Sequence, residues 1–91
     1  MSIKLNIRGS LSAITKGRQL FEVNGRTVGE CLNQLIELVP GMKEAIFFDK
    51  GEALAIRSRI QVKVNEEFID TEGLVKEVKD GDEIYIKMTL Q

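Results

Sequence analysis

A tight turn followed by a strand decides the fold of this chain, and both lie in residues 79–88, KDGDEIYIKM. The turn holds a glycine between two aspartates, and these residue types favour turns because glycine accepts positive φ and aspartate bonds to nearby backbone. After it, apolar residues occupy every second position: Ile84, Ile86 and Met88. This alternation predicts a strand with one buried face, so Tyr85, Lys87 and Thr89 should point outward.

The same alternation occurs near the other end of the chain. Three apolar residues there are separated by polar ones: Ile3, Leu5 and Ile7. After a polar segment, a second apolar edge is formed by Leu20, Phe21 and Val23. The two patterns predict strands at residues 2–8 and at about residues 19–23, joined as an antiparallel hairpin.

The helix is the best-defined element of the sequence. Thr27 can cap its first turn, and Glu30, three residues later, can bond back to the cap in a capping-box arrangement. Apolar residues then recur at three- and four-residue spacing: Val28, Cys31, Leu32, Leu35, Ile36 and Val39. The helix should end at Pro40-Gly41 and pack its apolar face against a sheet.

Between the helix and the turn at residues 79–82, which we call the closing turn, the sequence patterns are shorter. Residues 42–48 fit either a short helical turn or a strand, and both interpretations stay open. A third strand is predicted where apolar residues alternate again: Ile60, Val62 and Val64. A short strand at Phe68-Ile69 should follow it, and Leu74 and Val78 should contact the core.

Length and composition indicate an ordinary globular protein. With 43% hydrophobic residues, 30% charged residues and a net charge of −1, residues 1–91 are expected to form a single domain. Thirteen basic residues balanced by fourteen acidic ones provide no overall positive field, so no nucleic-acid partner is expected. The sequence has one cysteine and no apolar run long enough for a signal peptide or a bilayer span, so a cytoplasmic protein with no membrane partner is expected.

The order of these elements resembles the ubiquitin-like sulfur carriers, a family that includes the molybdopterin-synthase small subunit and the thiamine-biosynthesis sulfur carrier. The resemblance rests on the hairpin and helix at the start and on three short motifs at residues 64–67, 71–74 and 79–84. It implies an α+β, ubiquitin-like β-grasp fold, with a mixed four- to five-stranded sheet packed on one main helix. It also implies that the first and last strands lie side by side and parallel.

Members of this family are adenylated at a C-terminal Gly-Gly, converted to a thiocarboxylate and used as sulfur donors. This sequence departs from that pattern, since its last residues are Leu90 and Gln91 and no two glycines are adjacent anywhere. We therefore expect a non-catalytic protein-binding subunit or regulator. The alternatives are a sulfur carrier for molybdopterin, tungstopterin or thiamine synthesis with a truncated or atypical C-terminus, and an unrelated role such as binding a small molecule.

The resemblance implies a protein partner, either an E1-like activating enzyme or a synthase large subunit. The candidate protein-binding residues are those of the outward strand face and the tail: Tyr85, Lys87, Met88, Thr89, Leu90 and Gln91. Tyr85 is the only tyrosine, and an amphipathic ring on an outward face makes a good interface anchor. Packing against its own sheet is the competing interpretation of this ring.

No catalytic, cofactor or metal site is predicted. Cys31 lies on the apolar face of the helix and the chain has no histidine to activate it, so we interpret it as a small buried hydrophobe. Asp80, Asp82 and Glu83 are interpreted as a solvated turn rather than a calcium loop. The remaining acidic group is interpreted as an exposed surface: Glu66, Glu67, Asp70 and Glu72.

Overall fold

The computed structural model describes residues 2–50 and 53–88. In chain order, the elements are β1 Ile3–Gly9, β2 Leu20–Val23, α1 Val28–Leu38, α2 Met42–Ile46, β3 Phe47–Lys50, β4 Ala53–Ile56, β5 Ile60–Val64, β6 Glu67–Ile69 and β7 Glu83–Met88. Short 3-10 helices occupy Ser10–Ala13 and Thr71–Val75. None of the helices in the described residues is long and apolar enough to cross a bilayer.

The main sheet has five strands in the order β2-β1-β7-β5-β6, so β7 is central. Strands β1 and β7 are parallel, and every other neighbouring pair in this sheet is antiparallel. The mixed sheet and the parallel pairing of the first and last strands, both implied by the resemblance, are thereby confirmed. The sheet is covered on one face by α1, which gives the α+β β-grasp architecture.

The core consists of the inward residues of the sheet strands and the apolar face of α1. From the sheet it takes the alternating residues of the predicted strands, which are almost fully buried: Ile3, Leu5, Ile7, Val62, Ile84 and Ile86. The predicted hairpin is present, but Leu20 is 49% exposed and does not belong to the apolar edge. Strand alternation explains this correction, because Leu20 points to the opposite face from its buried neighbour Phe21.

Helix α1 begins and ends close to its predicted bounds. The N–H of Glu30 donates to the Thr27 hydroxyl at 3.2 Å, as expected for the cap. The Glu30 carboxylate, however, accepts from the N–H of Arg26 at 2.9 Å rather than from the N–H of Thr27. The reciprocal half of the capping box therefore reaches one residue further back than predicted, and still satisfies a backbone donor near the helix start.

Residues 42–48 contain both structures that the sequence left open. The chain forms α2 and then passes directly into β3, which pairs with β4 as a separate antiparallel hairpin. Two hydrogen bonds from Arg57, the residue after β4, hold the hairpin against α2. The Arg57 N–H donates to the Ile46 carbonyl at 2.8 Å, and its Nε donates to the Glu44 carbonyl at 2.8 Å. Strand β4 was not predicted.

The closing turn connects the two ends of the fold. The N–H of Asp82 donates to the Lys79 carbonyl at 3.0 Å, and the N–H of Lys79 donates to the Asp82 carboxylate at 3.0 Å. Across the sheet, the Ser2 N–H donates to the Asp80 carboxylate at 2.7 Å and the Lys4 N–H to the Asp82 carbonyl at 3.2 Å. The turn therefore aligns the beginning of β7 with the beginning of β1.

The far end of the same strand pair depends on Gly9. Its backbone has φ 66° and ψ −151°, a region that essentially only glycine occupies. A Cβ at this position would also lie 3.1 Å from the Met88 carbonyl oxygen, a tight contact with a backbone atom of the neighbouring strand. Glycine is therefore required at the point where β1 and β7 end together.

We expect Gly9→Ala to lower the free energy of unfolding by about 2–3 kcal/mol, because it adds backbone strain and a close contact at once. Gly17→Ala is the matched control, since Gly17 has φ 88° but no atom within 4 Å of an added Cβ. Its cost should be about 1 kcal/mol, from backbone strain alone. Equal losses for the two variants in urea denaturation would show that the contact with β7 does not matter.

Candidate functional site

The face of the sheet opposite α1 carries the outward residues of the strands, and we call it the open face. Along β1 these are Lys4, Asn6 and Arg8, which alternate with the buried residues. Along β7 they are Glu83, Tyr85 and Lys87. The parallel register places these residues in pairs, Lys4 beside Glu83, Asn6 beside Tyr85 and Arg8 beside Lys87.

A shallow cavity of about 290 Å³ lies on the open face, towards the end of β7. We call its lining the cationic corner: Arg8, Gln61, Lys63, Phe68, Tyr85 and Lys87. Register brings these residues together, because Lys63 of β5 pairs with both Tyr85 and Phe68, and Gln61 pairs with Lys87. The corner thus combines three cationic side chains with two aromatic rings.

The aromatic rings and one of the cations hold each other in place. The Lys63 ammonium lies 5.8 Å from the centre of the Phe68 ring and 5.7 Å from that of Tyr85, within cation-π range. The Tyr85 hydroxyl donates to the Glu83 carboxylate at 3.0 Å, and the Asn6 amide donates to the same oxygen at 3.0 Å. Tyr85 is therefore oriented by its own sheet, whereas Phe68 is 67% exposed.

Charge is unevenly distributed along the open face. At the end near the closing turn, Lys4 pairs in register with Glu22 on one side and Glu83 on the other. At the opposite end, Arg8 and Lys87 are direct neighbours. In residues 2–50 and 53–88 neither forms an ion pair, and the Lys76–Glu67 bridge at 3.1 Å lies outside the corner.

The predicted binding residues divide into three groups. Tyr85 and Lys87 lie in the cationic corner, while Met88 is half-buried against the core, in register with Gly9 and Ile60. Thr89, Leu90 and Gln91 lie outside the described residues. As a binding surface, this set stays a prediction.

Sequence reasoning missed four residues of the corner: Arg8, Gln61, Lys63 and Phe68. Alternation alone marks Arg8, Gln61 and Lys63 as outward residues of their strands. It does not say which outward residues of different strands meet, because that depends on the register between β1, β5 and β7. Phe68 had no usable signal, since an aromatic residue in a strand is more often buried.

The surroundings of two other candidate groups, Cys31 and Asp82, fit a role in the fold rather than in chemistry. Burial, and then the nearby Glu30 charge, raise the pKa of the Cys31 thiol to about 11, which keeps it protonated and unreactive near neutral pH. The Lys79 N–H that Asp82 accepts helps to hold the pKa of that carboxyl below its usual value. No cluster of ligating side chains in the described part of the chain is arranged to hold a metal ion.

The hydrogen bond from Tyr85 to Glu83, and then the negative charge of Glu83, raise the pKa of Tyr85 above its ordinary value, while Arg8 lowers it. Ultraviolet titration of phenolate reports this group alone, because the chain has one tyrosine. We expect Glu83→Gln to lower the Tyr85 pKa and Arg8→Gln to raise it further. Shifts of the same sign in the two variants would contradict this arrangement of charges.

Comparison with known proteins places this geometry in a family. The model described as the ThiS family matches residues 6–86. A chain in the crystal structure of the Amycolatopsis orientalis BexX/CysO complex is 30% identical, with 98% of this chain and 97% of that chain covered and a TM-score of 0.79. Among curated proteins, none matches the chain.

Two further structures extend the comparison. The small archaeal modifier protein SAMP1 from Methanosarcina acetivorans is 28% identical, with 99% of this chain and 94% of that chain covered and a TM-score of 0.83. A chain in the complex of subunits 1 and 2 of molybdopterin-converting factor from Helicobacter pylori 26695 is 19% identical, with coverages of 100% and 97% and a TM-score of 0.66, and shows the fold alone. Because the family model spans nearly the whole chain and agrees with the observed β-grasp fold, this protein belongs to the ThiS family of ubiquitin-like sulfur carriers.

Proposed function

We propose that this protein works by docking on a partner protein, as a non-catalytic subunit or regulator that presents its open face and last strand. The observation that carries this proposal is the cationic corner, where exposed Phe68 and the oriented ring of Tyr85 lie among cations at the end of β7. Aromatic residues and arginine are the side chains that most often anchor protein interfaces.

The rigidity of the corner also supports a docking role. Its residues lie on four neighbouring strands of one sheet, and the Tyr85 ring is fixed by a hydrogen bond. A surface that is already ordered loses little conformational entropy when a partner covers it. The corner can therefore contribute binding energy without first rearranging.

Family relatives support a protein partner. The Amycolatopsis orientalis relative comes from a BexX/CysO complex, and the Helicobacter pylori structure is a complex of two subunits. For this chain, we propose an E1-like activating enzyme or a synthase large subunit as the partner class. Either would cover the corner and contact the chain that continues from Met88.

Sulfur carriage is the second candidate function. Family membership favours it, and β7 ends at Met88, next to Lys87 of the corner. Incubation with ATP, an activating enzyme and a sulfur donor should then change the intact mass by replacement of a carboxylate oxygen with sulfur. Reading the gene beyond the codon for Gln91 establishes which C-terminus to use in this assay.

The docking proposal is tested by titrating purified E1-like and synthase-type partners in a calorimeter. We expect Phe68→Ala to weaken binding by about 2 kcal/mol, roughly thirty-fold in Kd, because it removes a large exposed anchor. Leu38→Ala is the matched control, since Leu38 is 58% exposed but lies on α1. Absence of binding to both partner classes, or equal weakening by the control, would refute docking through the corner.

A further inference from the structure

We infer that the cationic corner recognises a carboxylate-rich segment of the partner protein, with an apolar or aromatic residue of that segment resting on Phe68 and Tyr85. This inference rests on the proposed docking function and adds the chemistry of the partner. It is carried by the uncompensated positive charge of Arg8, Lys63 and Lys87 beside two aromatic rings.

Arg8 and Lys87 are like charges that lie side by side on the open face. They are register partners on neighbouring parallel strands, which lie about 4.8 Å apart in a sheet. Like charges in directly opposite positions destabilise a sheet. The fold therefore keeps an unfavourable pair near the end of its two parallel strands, and an anion placed over the pair would relieve the repulsion.

The same open face shows how such repulsion is avoided elsewhere. Lys4, also on β1, has Glu22 and Glu83 as its register partners on either side. Glu83 is four residues before Lys87 on β7, about 13 Å along the strand, and it reaches the corner only through the Tyr85 hydroxyl, without an ion pair to Arg8 or Lys87 in the described residues. Its carboxylate already accepts from Asn6 and Tyr85. Charge is thus balanced at one end of the face and left unbalanced at the other.

The arrangement of charged, amide and aromatic side chains in the corner limits the shape of the ligand. Lys63 is held over both rings, while Gln61 lies beside Lys87 with an amide that can donate to a carboxylate. Three cationic side chains and two aromatic rings therefore line one cavity of about 290 Å³. Acidic residues flanking one apolar side chain match this pattern better than an isolated phosphate or an apolar peptide does.

The small number of cations in the corner favours an acidic protein segment over a nucleic acid as the ligand. The whole chain has a net charge of −1, and the corner contributes only three cations. Nucleic-acid binding at physiological salt relies on a broader basic surface that neutralises many phosphates. A short acidic segment needs no more cations than the corner supplies.

The experiment titrates the ¹⁵N-labelled full chain with a short blocked peptide in which glutamates flank one phenylalanine. Amide shifts are expected at Arg8, Lys63 and Lys87, with an affinity that falls as salt is raised. A peptide with glutamine in place of each glutamate should bind at least about tenfold more weakly, because the charged pairs are lost. Equal binding of the two peptides would overturn the inference.

Two charge reversals on the same face provide the matched pair of variants. Lys87→Glu should weaken binding of the glutamate peptide at least about tenfold, whereas Lys4→Glu should leave it within about twofold. Because Lys87→Glu turns the repulsion with Arg8 into attraction, its urea midpoint should stay equal or rise. Loss of binding in this variant therefore cannot be attributed to unfolding.

The remaining outcomes separate this inference from the docking proposal. If the partner protein loses affinity in Phe68→Ala but not in Lys87→Glu or at raised salt, docking stands and acidic recognition is wrong. If a single-stranded oligonucleotide binds the corner more tightly than the glutamate peptide, the acidic-partner inference is overturned in favour of nucleic acid. If Lys4→Glu weakens peptide binding as much as Lys87→Glu, the charge is not localised at the corner and the inference also fails.

Discussion

Parallel pairing of β1 with β7 is the constraint on which the rest of this structure depends. It joins the two ends of the described chain, so all the residues between them must form the crossover and the flanking strands. The pairing is fixed at one end by the closing turn, through Ser2 and Lys4, and at the other by Gly9 against Met88. These contacts at both ends fix the register. A slip by one residue would move the buried residues of β7 to the opposite face of the sheet.

The same register builds the core and the candidate site together. One alternation along β7 sends Ile84 and Ile86 inward and Tyr85 and Lys87 outward. The arrangement that buries the core therefore also brings Lys87 beside Arg8 and Tyr85 beside Lys63. Because the corner is built on strands and not on loops, its geometry has the stability of the sheet itself.

The sequence predicted the strands and the helix whose formation depends mainly on residues close together in the chain. The alternation of Ile3, Leu5 and Ile7 and the cap at Thr27 specify a strand and a helix without reference to the rest of the chain. The parallel pairing came from the family resemblance, because periodicity does not encode which strands are neighbours. Strand β4 and its pairing with β3 were missed for a related reason, since these short segments carry no alternation long enough to distinguish a strand from other apolar runs.

The site was less predictable than the fold. Tyr85 and Lys87 could be placed on an outward face, but the meeting of Arg8, Lys63 and Phe68 with them is a property of register between strands distant in sequence. Even the capping box differed in detail, because the Glu30 side chain has two nearby backbone donors and bonds to that of Arg26. Pairwise geometry of this kind is decided by tertiary packing.

The anchoring of Ser2 to the closing turn also has a practical meaning for handling this protein. Ser2 lies at the beginning of β1, whereas the cationic corner lies near its end, about 20 Å away along a seven-residue strand. A fluorophore, affinity handle or surface linkage attached ahead of Ser2 would be held at the end of the sheet remote from the corner. Attachment after the last strand would crowd it, so the amino end is the side from which the molecule can be immobilised with its candidate interface facing solution.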